Sequence, residues 1–192
     1  MKALQDMSLE ELWQLFPIIL KEYNPYYPMW YEDEKNNIYE ILDGCAICRI
    51  NHIGSTFVEG LISKPIIDIL LELPVDYDID IIIDKLQSVD WLVMAKNSGK
   101  KTIDLNKGYT LDGFAEKVFH LHIKPYGDWN ELYFRDYLKA HADIAKQYEI
   151  LKISLKDKYK HDRDAYTEAK SEFILKQNDK ARAEFGDRYL PL

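Results

Sequence analysis

A glycine–serine turn followed by an acidic residue inside an apolar run is the feature of this sequence that most directly indicates chemistry. Gly54 and Ser55 end one apolar stretch, and Asp68 stands in a later stretch made almost entirely of Ile and Leu. A glycine lets backbone amides approach a phosphate, and a serine hydroxyl can donate to its oxygens. An unpaired carboxylate in an apolar strand is costly, whereas a divalent cation would partner it. We therefore expect Gly54 and Ser55 to bind phosphate and Asp68 to hold a metal; the alternative is a tight turn beside a hydrogen-bonded Asp.

Two histidines stand two residues apart in another apolar stretch. On a strand, His120 and His122 would project from the same face, so both imidazoles could reach one metal ion. Together with Asp68 they would form a set that suits Zn²⁺ or Mn²⁺ better than Mg²⁺. The alternative is that one ring bonds a backbone carbonyl and the other packs beneath the C-terminal helices.

Cations and tyrosines recur at helical spacing in the last third of the chain. Lys152 follows Tyr148 by four residues, and Lys170 follows Tyr166 by the same interval, so each pair shares a helix face. Lysine and arginine side chains suit phosphate, and tyrosine rings can stack on a base. Solvated charges on amphipathic helices are the alternative. The cations that we expect to neutralise phosphate charge are Lys64, Arg135 and Lys152.

Hydrophobic periodicity predicts the elements that must position these residues. Ser8 and Glu11 have capping-box spacing and predict a short first helix that Pro17 ends. Further helices are expected over 29–42, 78–90, 129–138, 141–158 and 163–185, and strands over 18–23, 45–53, 65–73, 91–96, 101–105 and 116–123. The expected arrangement is an α+β core over residues 1–128, on which C-terminal helices over 129–192 pack as part of a single compact unit.

Two other patterns resemble ligand sites but have simpler explanations. Cys45 and Cys48 have C-x-x-C spacing, but on a strand they would point to opposite faces, which favours small buried core residues. Asp76, Asp78 and Asp80 alternate like metal ligands on a strand. Because they follow Pro74 and open a helical pattern, they are better explained as the acidic start of a helix.

Composition limits the classes of partner. The chain has 192 residues, 47% hydrophobic and 30% charged, with a formal net charge of -8. This acidic balance argues against binding to a nucleic-acid backbone, and most of the cations lie in the last third. No apolar run is long enough to span a bilayer, and the first residues lack a secretory hydrophobic region, which predicts a cytoplasmic protein whose partner is a small molecule.

Six motifs in register closely resemble the GrpB family, also called UPF0157, from about residue 23 to residue 181. They are 52–56 (HIGST), 64–68 (KPIID), 120–122 (HLH), 134–138 (FRDYL), 148–152 (YEILK) and 166–170 (YTEAK). The resemblance implies a nucleotidyltransferase-like fold, a mixed sheet with flanking helices and a helical C-terminal region. It also implies that His52, the first residue of the first motif, belongs with the phosphate-binding or nucleotide-binding residues.

The sequence departs from active nucleotidyltransferases at one decisive position. Those enzymes carry a second carboxylate two residues after the first, because two metal ions clamp the attacking and leaving oxygens. Leu70 stands at that position here. The leading expectation is a protein that binds a nucleotide or another phosphorylated metabolite with divalent Mg²⁺ or Mn²⁺, and metal-dependent nucleotidyl transfer is a reaction that this set of residues could support. The alternatives are a nucleotide-binding module without catalysis, and a metal-dependent hydrolase that uses Asp68, His120 and His122 with Zn²⁺ or Mn²⁺.

Overall fold

A five-stranded mixed β-sheet lies at the centre of the structure, a computed structural model that describes residues 4–191. The strands are β1 (Arg49–Ile53), β2 (Ile67–Leu73), β3 (Leu92–Asn97), β4 (Thr102–Thr110) and β5 (Gly113–Pro125). The helices are α1 (Leu9–Leu15), α2 (Tyr27–Ile41), α3 (Ile79–Gln87), α4 (Asn130–Ala140), α5 (Ala142–Lys156), α6 (Arg163–Glu168) and α7 (Ser171–Phe185). Two short 3₁₀ helices span Leu4–Asp6 and Ser55–Phe57.

The strand order explains how distant residues meet. The order across the sheet is β1-β2-β5-β4-β3, with β2 and β5 parallel and the other pairs antiparallel. The register places Asp68 of β2 beside His120 of β5, and Leu70 beside His122. The α+β fold that the sequence predicts, a mixed sheet with flanking helices, is confirmed.

One face of the sheet is packed against α2 and α3. Alternate residues of β2 and β5, such as Ile69 and Leu121, are fully buried there against Ile38 of α2 and Leu86 of α3. Burial of these large aliphatic side chains supplies the main stabilising term, about 25 cal/mol for each Å² of apolar surface removed from water. The residues between them on the same strands point to the opposite face, where Asp68, His120 and His122 lie.

The opposite face is covered in part by the C-terminal helices. Leu132 of α4 packs on Leu70 and Ile53, and a second apolar cluster joins α4, α5 and α7 to the segment that follows β1. Arg163, at the start of α6, reaches Tyr109 of β4 and His120. The helical region therefore forms one wall of the site.

The two helix N-caps predicted from the sequence, at Ser8 and in the acidic run around Asp78, are confirmed. The Ser8 side chain accepts from the Glu11 amide while Glu11 accepts from the Ser8 amide, which is a complete capping box. Asp78 caps α3 by accepting from the Asp80 and Ile81 amides, so the acidic run at this point is a helix start.

Three local predictions were wrong. Residues 18–23 form only one bridge pair, Lys21 with Ser63, because the Ile18 amide instead donates to the Lys160 carbonyl beyond α5. The long last helix is broken at Lys170, which separates α6 from α7. The cysteines precede β1 instead of lying within it; Cys45 is half-buried and Cys48 is exposed, since the chain pairs regularly with β2 only from Arg49.

Candidate functional site

The turn after β1 is built around a glycine that touches the Asp68 carboxylate. Gly54 has φ +72° and ψ −172°, a region open essentially to glycine alone. A Cβ at this position would lie 2.3 Å from Asp68 Oδ2. The absence of a side chain therefore lets the turn pass directly over the carboxylate.

Asp68 is ionised and shared between two histidines. Its Oδ1 lies 3.1 Å from His120 Nδ1 and 3.9 Å from His122 Nε2. Burial acts to raise the pKa of Asp68, but the hydrogen bonds of the two rings hold it well below its usual range. One ligand atom from each of these three residues lies within 4.8 Å of the other two, which is close enough for a common metal ion.

His120 is held as a neutral ring with a defined tautomer. Its Nε2 lies 2.8 Å from the Tyr109 hydroxyl and 3.1 Å from Arg163 Nη2. Because a guanidinium only donates, Nε2 is the acceptor and Nδ1 carries the proton. Burial lowers the pKa of His120 to about 4, which agrees with a neutral ring. His120 therefore donates Nδ1–H to Asp68 in this structure.

His122 bridges two carboxylates. Its Nδ1 lies 2.7 Å from Asp104 Oδ1 on β4, and its Nε2 faces Asp68. Burial acts to lower its pKa, but the hydrogen bonds and charges of Asp104 and Asp68 raise the pKa of His122 to about 9. The ring is therefore an imidazolium at neutral pH, and a metal at Nε2 would have to replace that proton.

Lysines converge beside this cluster. Lys152 of α5 donates to the Ile62 carbonyl and, at 3.2 Å, to Ser55 Oγ. Within residues 4–191, the ammonium groups of Lys64 and Lys170 make no hydrogen bond, although Lys170 lies 4.4 Å from the Tyr166 ring centre. Lys152 and Lys170 are both buried.

These lysines destabilise one another. Burial lowers the pKa of Lys64 and of Lys152 to about 7, and that of Lys170 to about 8. Neighbouring positive charges add to the effect: Arg163 and Lys170 act on Lys64, and Lys170 acts on Lys152. An anion placed among them would favour their charged forms.

Two of the expected phosphate-binding residues do not join the cluster. The four hydrogen bonds of the Arg135 guanidinium go to Asn51 Oδ1, the His52 carbonyl, Asp136 and the Tyr189 hydroxyl. Arg135 therefore ties α4 and the chain end to β1. The His52 ring points to the other face of the sheet, where it stacks on Tyr31.

His52 stabilises the turn after β1 from the opposite face of the sheet. Thr56 Oγ1 donates to the Ile66 carbonyl, so it accepts from His52 Nε2 at 2.9 Å. Burial lowers the pKa of His52 to about 4, and the ring is neutral in the folded protein.

This lowered pKa predicts a pH-dependent contribution to stability. An unfolded His52 titrates near 6.5, so the unfolded state binds more protons than the folded state between roughly pH 6.5 and pH 4. The contribution of His52 is complete above this window and is lost as the pH falls through it. We expect the stability advantage of the wild type over His52→Gln to shrink by about 3 kcal/mol from pH 7 to pH 4. Urea unfolding at several pH values measures this; a constant difference would contradict a buried neutral ring.

The site opens to solvent at the edge that Asp104 occupies. The side chains of Asp68, His122 and Asp104 are 28%, 32% and 49% exposed, so a ligand could enter over β4. A groove of about 920 Å³ lies elsewhere, between the first residues of β5 and the segment around Ile19 and Trp30. None of the residues of the Asp68 cluster lines that groove.

Comparison with known proteins identifies the family. The model of the family described as GrpB protein matches residues 17–180. The chain belongs to the GrpB family. It is 34% identical to the glutamate-rich protein GrpB of Alkalihalophilus pseudofirmus, over 74% of this chain and 83% of that protein. It is 35% identical to a UPF0157 protein of Pseudomonas aeruginosa over 66% of this chain and 29% identical to UPF0157 protein YqkA of Bacillus subtilis over 94%; it spans about half the length of each.

Solved structures share the fold. The conserved protein GrpB from Enterococcus faecalis superposes with a TM-score of 0.74 at 28% identity, covering 87% of this chain and 99% of that one. The Cid1 poly(U) polymerase, in a structure with MgGTP, superposes with a TM-score of 0.50 at 11% identity, covering 77% of this chain and 46% of that one. The second comparison shows a shared nucleotidyltransferase-like fold. Within residues 4–191, no helix has the length and apolarity to cross a bilayer.

In this GrpB protein the second carboxylate position of the nucleotidyltransferase strand is part of the core. Leu70 projects from the same face as Asp68 but is fully buried against Ile53 and Leu132. A metal ion could not reach this position without displacing α4. Strand β2 thus offers one carboxylate to the site, with histidines on the neighbouring strand β5 and Asp104 beyond them on β4.

Four residues of the site were missed by sequence reasoning or given no site role. Asp104 and Tyr109 lie on β4, where only the pairing with β5 brings them to the histidines. Arg163 enters from the first residue of α6, and Lys170 enters from the break between α6 and α7. The spacing of Lys170 from Tyr166 was the one available signal, since the two side chains do share a face.

Proposed function

We propose that this chain binds a nucleotide or a nucleotide-like phosphate ester together with a divalent metal ion. The phosphate would lie between Ser55 and the ammonium groups of Lys64, Lys152 and Lys170, beside Asp68. The observation that carries the proposal is a group of cations beside Asp68, of which Lys64 and Lys170 make no hydrogen bond within residues 4–191. The ammonium of Lys170 has no hydrogen bond among the described residues, and the hydroxyl of the adjacent Tyr166 is buried without a partner. Phosphate oxygens would supply the acceptors that these donors lack.

The residues present also fit a metal ion. Asp68 offers a carboxylate and His122 an imidazole nitrogen, and both side chains are partly exposed. A divalent ion bound there would polarise a phosphate oxygen and neutralise its charge. The fold shared with Cid1, whose structure contains MgGTP, makes nucleoside triphosphates the first ligands to test.

Leu70 favours a second candidate function. In this function the protein binds a nucleotide but does not carry out two-metal nucleotidyl transfer. With Leu70 in place of a second carboxylate on β2, the site lacks the second metal position that such transfer uses. Turnover of a bound nucleoside triphosphate would separate the two: release of pyrophosphate supports transfer, and tight binding without turnover supports a binding module.

The test is ligand-induced stabilisation of matched variants. At about 100 times its dissociation constant, a ligand adds roughly 2.7 kcal/mol to the unfolding free energy. We expect the four common nucleoside triphosphates, tested with and without Mn²⁺ or Mg²⁺, to include one that stabilises the wild type. Lys170→Met removes a buried charge, so we expect it to keep or raise the stability without ligand while losing most of the shift with ligand. Asp68→Asn should lose the metal-dependent part only.

Lys176→Met is the control, because Lys176 is an exposed lysine of α7, the helix that begins directly after Lys170. It should behave as the wild type. An equal shift in Lys170→Met and the wild type would contradict the proposed phosphate position, and no shift with any phosphate ester would contradict the proposal as a whole.

A further inference from the structure

Asp104 has a single partner in the part of the chain that the structure describes. It lies opposite His122 in the pairing of β4 with β5, so both side chains project from the face that carries Asp68. Its Oδ1 lies 2.7 Å from His122 Nδ1, and its carboxylate makes no other hydrogen bond within residues 4–191. A half-exposed carboxylate that contacts only the far nitrogen of a histidine is placed to orient that ring.

We infer that Asp104 is a positioning residue that makes His122 Nε2 a metal ligand and so selects a transition-metal ion over Mg²⁺. The inference deepens the proposed function and rests on its metal site. Because Asp104 takes the Nδ1–H, the ring presents Nε2 to Asp68 Oδ1 across 3.9 Å. Two metal–ligand bonds of about 2.1 Å can span that separation.

His120 does not compete for this role. Its Nε2 accepts from Tyr109 and Arg163, which keeps the proton on Nδ1, and that proton goes to Asp68. His120 therefore holds the Asp68 carboxylate in place without offering a lone pair to the metal.

The resulting donor set is one imidazole nitrogen and one carboxylate oxygen. Its other coordination positions are left to water and phosphate oxygens. Mg²⁺ prefers oxygen ligands in a regular octahedral shell, whereas divalent ions of the first transition series accept nitrogen readily, with an affinity that rises from Mn²⁺ to Cu²⁺ and falls at Zn²⁺. The site therefore suits a transition-metal ion bound through His122.

Mn²⁺ alone, without nucleotide, provides the test. In the wild type we expect electron spin echo modulation from a directly coordinated nitrogen, together with measurable binding by calorimetry. Asp104→Asn should weaken Mn²⁺ binding by 10-fold to 100-fold, as outer-sphere carboxylates of other metal sites do. It should leave the thermal unfolding temperature without metal nearly unchanged, because Asp104 is half exposed.

Asp112→Asn serves as the control, since Asp112 is an exposed residue in the turn between β4 and β5. It should bind Mn²⁺ like the wild type. Bound Mn²⁺ without nitrogen modulation, or an Asp104→Asn variant with unchanged affinity, would overturn the inference. Neither result would affect phosphate binding, which the Lys170→Met series measures in the absence of metal.

Discussion

Replacing Gly54 by alanine is expected to destabilise the protein by about 3 kcal/mol or more and to abolish Mn²⁺ binding. The backbone of Gly54 lies in a region that other residues avoid, which costs about 1–3 kcal/mol by itself. The added Cβ would also lie 2.3 Å from Asp68 Oδ2, so either the turn or the carboxylate must move. Urea unfolding and Mn²⁺ calorimetry measure the two effects on the same variant.

Gly60→Ala separates backbone strain from the contact with Asp68. Gly60 has φ +76°, similar to that of Gly54, but a Cβ there meets no atom within 4 Å. The Gly60→Ala variant should lose about 1–2 kcal/mol of stability and keep full Mn²⁺ affinity. If Gly54→Ala retained wild-type Mn²⁺ affinity, the close approach of the turn to Asp68 would have no role in the site.

The parts of the site that lie close together in the chain could be predicted from the sequence. The Gly54–Ser55 turn needed only a glycine between apolar segments, and the shared face of His120 and His122 follows from the two-residue repeat of a strand. The need of Asp68 for a partner followed from the apolar residues around it. In each case the physical cause lies in residues that are neighbours in the chain, so the sequence pattern indicates it directly.

The remaining parts depend on contacts between distant segments. Asp104 reaches His122 only because β4 pairs with β5, and no spacing within the chain indicates that pairing. Lys170 was expected to continue a long helix, but the helix breaks there and the buried side chain lies over Tyr166. His52 was misleading for a related reason: it alternates with Asn51 and Ile53, so it faces α2 while they face the site side of the sheet.

Packing explains why Leu70 stands where active nucleotidyltransferases carry a second carboxylate. In the sequence it is a missing carboxylate. In the structure it fills the space between β1 and α4, where a second carboxylate would be buried against Leu132 without a partner. The substitution and the position of α4 are therefore mutually consistent, and both limit the site to the face of the sheet formed by β2, β5 and β4.

Arg135→Met is expected to lower the unfolding free energy by about 3–5 kcal/mol, because Arg135 holds the fold together instead of binding phosphate. Its side chain is 9% exposed. Removal of the guanidinium leaves the His52 carbonyl and Asn51 Oδ1 without this donor, and Tyr189 loses one of its hydrogen bonds. Each buried acceptor that loses its partner costs about 1–3 kcal/mol.

Lys139→Met is the matched control, since the cations of Lys139 and Arg135 lie 5.0 Å and 4.8 Å from the Phe57 ring centre. Lys139 is exposed, so its replacement should change stability by no more than about 0.5 kcal/mol. Urea unfolding gives the stability, and phosphate titration below the unfolding transition gives the affinity of each folded variant. If Arg135→Met kept normal stability but lost phosphate affinity, Arg135 would be a phosphate-binding residue. A large loss of stability with retained affinity would establish that its four hydrogen bonds, not a ligand, account for a buried arginine on α4.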